Sequence, residues 1–192
     1  MAKLTLITAP AKPAVTVSEF QTHTRIGGSS DEESYIEDLL AAAEEEVEVE
    51  TWRRIVTQTW DQFFDGFSDP LTLWYPPVAS VTTVKYLDEN STEQTLSTGV
   101  WELAEQDGIN VVRRKLDQVW PTTDGHFDSV FVRFICGYGV QADAPATIPA
   151  KIRQAILFHA SWYFRNREGG DLPMAFKSYL SPFATRRFIA VG

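Results

Sequence analysis

The sequence predicts an α+β domain: N-terminal helices, central antiparallel β-strands and hairpins, and a long C-terminal helix packed with the N-terminal helix. Three observations carry this. Ile36, Leu40, Ala43 and Val47 recur at helical spacing within an acidic run. After Trp52 the apolar period changes from 3.6 to 2 and stays there through repeated turn clusters. Near residue 149 a proline opens a second helical pattern that closes on Gly169-Gly170. Helix, many short strands, helix is the order of an α+β fold.

Residues 1–15 read as an extended arm, because Pro10 and Pro13 resist helix. Ser18 is a cap for a short turn through Thr24, and "GGSS" at 27–30 breaks it. Ser30 or Asp31 then opens the strong acidic helix, with carboxylates in the first turns where the dipole favours them. "VTQTWDQFF" alternates Val56, Gln58, Trp60, Gln62 and Phe64 against Thr57, Thr59 and Asp61, a strand, and "DGFSDP" at 65–70 turns it. Leu71–Tyr75 reads as a short strand stopped by Pro76 and Pro77, which cannot donate to a ladder. Val78–Leu87 is the next strand, "DENS" turns it, and Thr92–Leu96 returns. Asp107-Gly108 between two alternating runs is the strongest hairpin signal in the chain. "SVFVRFICGYG" puts Val130, Val132, Phe134 and Cys136 on one face; Phe131 and Ile135 make the other apolar, so cover on both sides is expected. In the last long helix Ile152, Ala155, Ile156, Trp162 and Tyr163 form a core stripe, while Leu157, Phe158 and Phe164 spread apolar surface further round. "DLPMAFKSYLSPF" is a further short helix before Pro182.

The 192 residues suit one domain with extended ends: an arm at 1–15, a single α+β domain at 16–180 and a C-terminal tail at 181–192. With 44% hydrophobic and 22% charged residues the chain is globular. A lone cysteine, Cys136, excludes an intrachain disulfide and fits a reducing compartment. No apolar run reaches membrane-spanning length and the N-terminus lacks a secretory core, so synthesis in the cytoplasm is expected. The net charge of −9 is uneven. Residues 31–50 hold ten carboxylates and no Lys or Arg; residues 151–192 hold seven basic residues against Glu168 and Asp171. Such asymmetry suits head-to-tail attraction between copies or a wall that repels polyanions; a solvated helix face is the plain alternative.

The chain offers no catalytic motif. His23, His126 and His159 lack zinc spacing, and Cys136 has no CxxC partner. "GYG" at 137–139 is not followed by a phosphate-loop pattern, and the acidic run lacks the calcium-loop signature. The aromatics from Trp60 to Tyr75 lack the interleaved Lys or Arg of a base-stacking surface. The expectation is therefore no enzyme, no cofactor, no metal and no catalytic residue. Two rivals stay open. One is a metal-dependent or hydrolytic enzyme built from distant residues, with His126 and Asp124 or Asp128 in a deep pocket. The other is a nucleic-acid module using the basic C-terminal third.

Four linked stretches resemble the head–tail connector (adaptor, head-completion or neck) proteins of tailed bacteriophages, found also in gene transfer agents. They are "VEVETWRRIVTQTWDQFFDGF", "LTLWYPPVASVTTVKYLDENSTEQTL", "VFVRFICGYG" with "IPAKIRQAILFHASWYFRNRE", and "KSYLSPFATRRF". The likeness runs from about residue 5 to 183; "DENS" departs from it in lacking a glycine. The resemblance implies a structural virion protein: a homo-oligomeric ring of about twelve copies at the head–tail interface, assembled in the host cytoplasm. Its implied partners are the portal protein, the next neck or tail-completion protein, and genomic DNA passing without specific binding, with no membrane. It implies portal contact through Phe183, Arg186, Arg187 and Phe188. Phe158, Phe164, Arg165, Glu44 and Glu48 are the expected subunit interface, from opposed charge and surplus apolar surface.

Overall fold

The computed structural model describes residues 3–26, 30–106, 108–139, 147–167 and 175–184. The elements are β1 (Lys3–Thr8), α1 (Val17–Thr24), α2 (Ser30–Thr51), β2 (Gln58–Phe64), β3 (Leu71–Thr72), β4 (Val78–Leu87), β5 (Glu93–Thr95), β6 (Trp101–Gln106), β7 (Ile109–Arg114), β8 (Val130–Cys136), α3 (Ala150–Arg165) and α4 (Ala175–Leu180). The fold is α+β, as the periodicity predicts. It packs as two units, each with its own core: Met1–Ala9 with Thr57–Gly137, and Pro10–Val56 with Tyr138–Gly192.

The sheet unit holds a five-stranded sheet, β1-β2-β8-β4-β5, and a three-stranded sheet, β3-β7-β6, with antiparallel pairing throughout. β8 is central in the larger sheet because its inward face is wholly apolar: Val130, Val132, Phe134 and Cys136 are fully buried. Its other face is only half-buried, short of the expected double cover. There Arg133 Nε and Nη2 each donate to the Asp61 carboxylate at 2.8 Å, and Phe63 and Phe131 rings lie 5.5 Å apart. The β6–β7 hairpin closes through the two residues between Gln106 and Ile109, with Gly108 at φ 79°. Residues 3–8 form an edge strand on β2.

The expected strand at 71–75 is shorter than read: only Leu71 and Thr72 pair, and with β7. From Leu73 the backbone bonds go elsewhere. Leu73 N–H donates to the Asn110 carbonyl at 2.9 Å, and the buried Gln62 side chain accepts from Trp74 N–H while donating to the Thr72 carbonyl. Asn110 Oδ1 takes Val78 N–H beyond the prolines at 2.9 Å. Two side-chain amides thus do for this segment what a neighbouring strand does elsewhere.

In the helical unit α1 starts two residues earlier than Ser18 suggests. Thr16 is the N-cap, and with Glu19 it forms a reciprocal capping box. The stripe Ile36, Leu40, Ala43 and Val47 on α2 is buried, against a core that includes Phe20, Ile152, Ala155, Ile156 and Phe176. α3 is sixteen residues long and packs on α2, α1 and α4. That triple neighbourhood explains why it is apolar on so many sides.

Candidate assembly surfaces

The residues with chemical potential are spent on structure. Cys136 is a buried core thiol on β8. His126 is exposed, and Asp124 organises its loop: the carboxylate accepts from the hydroxyls of Ser129 (2.7 Å) and Ser91 (3.2 Å) and from His126 N–H. Asp128 is paired with Lys3 at 2.7 Å. The deep His–Asp pocket of the enzyme reading therefore does not form. Among the described residues no group of three or more His, Cys, Asp or Glu could hold a metal ion. No described helix is long and apolar enough to cross a membrane. His159 is a core residue at 7% exposure, its ring 5.0 Å from Tyr163 and 5.3 Å from Phe176; burial pushes its pKa below the ordinary histidine value.

The expected interface residues are placed as follows. Phe164 is half-buried, edge-on to Phe20 at 5.6 Å and 6.2 Å from Tyr35, with the Arg167 guanidinium 5.4 Å from its ring. Phe158 lies 6.4 Å from Tyr179 and packs on the same core. Cover for both comes from their own chain. Arg165 is exposed at the end of α3. The Glu44 carboxylate accepts Ala14 N–H at 2.9 Å; burial, reinforced by the charge of Glu48, lifts its pKa to about 7 against that hydrogen bond. Glu48 accepts Ile55 N–H at 2.8 Å and pairs with Arg54. Phe183 is half-buried and its carbonyl accepts from Arg53 Nε at 2.7 Å; Arg186, Arg187 and Phe188 lie outside the described residues.

Opposed charge meets first inside one copy. Arg153 pairs with Glu19, Arg167 with Glu32 at 3.3 Å, and Lys177 approaches Glu50 at 3.9 Å. Sequence reading missed these pairs, since residues more than a hundred positions apart must first be brought together by helix packing. The unit also has two surface grooves. One, about 450 Å³, runs between α2 and α3 with Leu39, Ala42, Glu45, Glu46, Val49, His159 and Tyr163 on its walls. The other, about 380 Å³, lies between α1 and α3 and is lined by residues including His23, Arg153 and Leu157. Both grooves are open and bordered by charged side chains.

No family model and no curated protein matches the chain. Solved structures do. Over 97% of both chains it is similar to a chain in the virion of a native gene transfer agent particle, with TM-score 0.80 and 24% identity. Over 98% of both it is similar to a chain in the neck of the empty particle computed with C6 symmetry, at 0.80 and 23%. A third likeness, to the neck of the native particle computed with C12 symmetry, covers 98% of both at 0.77 and 22%. The fold is thus that of chains built into a virion neck, end to end.

Proposed function

We propose that this chain is a structural head–tail connector, a non-enzymatic adaptor in the neck of a tailed-phage or gene-transfer-agent particle. Its copies form a ring, twelve by analogy with the C12 symmetry of one neighbour's particle. The ring docks below the portal protein, extends the DNA channel and offers a surface to the next neck or tail component. The C-terminal segment with Phe183, Arg186, Arg187 and Phe188 is assigned to the portal. Assembly takes place in the host cytoplasm and the finished protein resides in the virion neck. The observation that carries this reading is the near-complete mutual coverage with neck-particle chains, 97–98% in both directions. The net charge of −9 agrees, because an acidic conduit does not grip a polyanion.

Native mass spectrometry of the full-length protein, alone and with portal particles, tests it. A ring of about twelve copies, free or on the portal, is expected. A protein that stays monomeric and ignores the portal at every concentration overturns the reading.

A further inference from the structure

The helical unit carries two grooves on different helix pairs, and the unpaired charges beside them have opposite signs. At the α2–α3 groove Glu45 and Glu46 stand over an apolar floor that includes Leu39, Ala42 and Val49. Val49 is 59% exposed, a large aliphatic side chain in water. Among the described residues neither Glu45 nor Glu46 has an ion-pair partner. His159 also lines this groove; it is more than nine-tenths buried and its Nδ1 has no hydrogen-bond partner. Burial keeps the imidazole neutral near pH 7, so it adds no positive charge beside the two carboxylates.

The second surface lies at the start of α3 and the end of α1. Lys151 is exposed in the first turn of α3, and Arg25 is exposed at the C-cap of α1. Neither has a carboxylate partner among the described residues, whereas Arg153, which lines the groove with Ala150 and His23, is paired with Glu19. α3 begins at Pro149 with no side-chain cap and no acidic residue in its first turn. The positive dipole of that end thus has no acidic residue of the helix's own first turn beside it.

On the ring reading, on which this inference rests, we propose that the acidic α2–α3 groove of one copy receives the cationic α1–α3 corner of the next, Glu45 and Glu46 facing Lys151 and Arg25 over Val49. Two different patches on one chain make a heterologous contact, the kind that repeats and closes into a ring. The charges also disfavour the face-to-face alternative, since two acidic grooves repel each other. Steering and register come from the charge match, and Val49, exposed in the single copy, supplies apolar contact.

A charge swap in the full-length protein tests the contact. Glu45→Lys/Glu46→Lys and Arg25→Glu/Lys151→Glu are each expected to remain monomeric at concentrations where the parent chain forms rings. Mixed one to one, they restore rings of alternating variants, because contacts then alternate between two altered patches and two intact ones, each pair of opposite sign. Two results overturn the proposal while leaving the ring reading intact: either variant assembling like the parent, or a mixture that fails although both variants melt like the parent. A parent chain that never forms a ring overturns both. Should a reversal variant misfold, Glu45→Gln/Glu46→Gln carries the test: the assembly concentration rises by about tenfold, and an unchanged value overturns the contact.

Discussion

Single residues show where sequence reading reached and where it stopped. A capping box was legible in Thr16-x-x-Glu19, yet the nearby Ser18 competes for the same role; only the extended backbone of Thr16 settles it. The turn "DENS" lacks glycine because Asp88 replaces it as organiser. Its carboxylate accepts from the Gln94 amide and from Thr92 and Asn90 N–H, bonds that hold its pKa below the usual carboxylate range, while Ser91 takes φ 55°. Glu44 is expected from its charge at a subunit interface, since the sequence gives no sign that the proline-flanked segment before α1 lies against it. Its pKa, raised from 4.5 to about 7, means that folding takes up a proton there. The associated stability is fully present below pH 4.5 and is lost as pH rises through about 7. Urea denaturation should accordingly show the parent chain losing up to about 3 kcal/mol between pH 5 and 8 from this group. Glu44→Gln, which keeps an acceptor for Ala14 N–H, removes that part of the slope. Parallel pH profiles for the two proteins would refute the assignment.

Elements were legible wherever period and punctuation agreed. The α2 stripe, the β6–β7 hairpin and the inward face of β8 all follow from spacing alone. The Leu71–Val78 segment did not, because its hydrogen-bond partners are side chains: Gln62 on β2 and Asn110 on β7. A polar residue alternating on a strand reads as solvent-facing, and Gln62 is instead fully buried. Gln62→Leu fits the volume but strands the Thr72 carbonyl and the Trp74 N–H. A loss of about 2–4 kcal/mol in unfolding free energy is expected by chemical denaturation. A change under 0.5 kcal/mol would show that water or another group serves those atoms as well.

At the level of the whole molecule, charge composition suggested attraction between copies, and the structure shows the same charges first bracing one copy through Arg153–Glu19 and Arg167–Glu32. Among the described residues a smaller set of charges has no internal partner, and the proposed contact between copies draws on that set. With net charge −9, duplex DNA is expected to pass through a gel-shift assay unretarded at physiological salt. Retardation that weakens steeply with added salt would instead favour a nucleic-acid module. The separation of strands and helices into two packed units was not legible, because neither unit is continuous in sequence.

That discontinuity has a consequence for synthesis. The chain passes between units after Ala9, Val56 and Gly137, and Tyr138 N–H bonds the Ile55 carbonyl at 2.9 Å where the last two passages meet. On the ribosome α2 emerges before β2 to β8, but α3 and α4, which bury its apolar stripe, emerge only after them. The strand-rich unit is fully translated first, leaving a greasy, acidic helix waiting for its lid. Its ten carboxylates set like-charge repulsion against the close approach of a second copy of that helix.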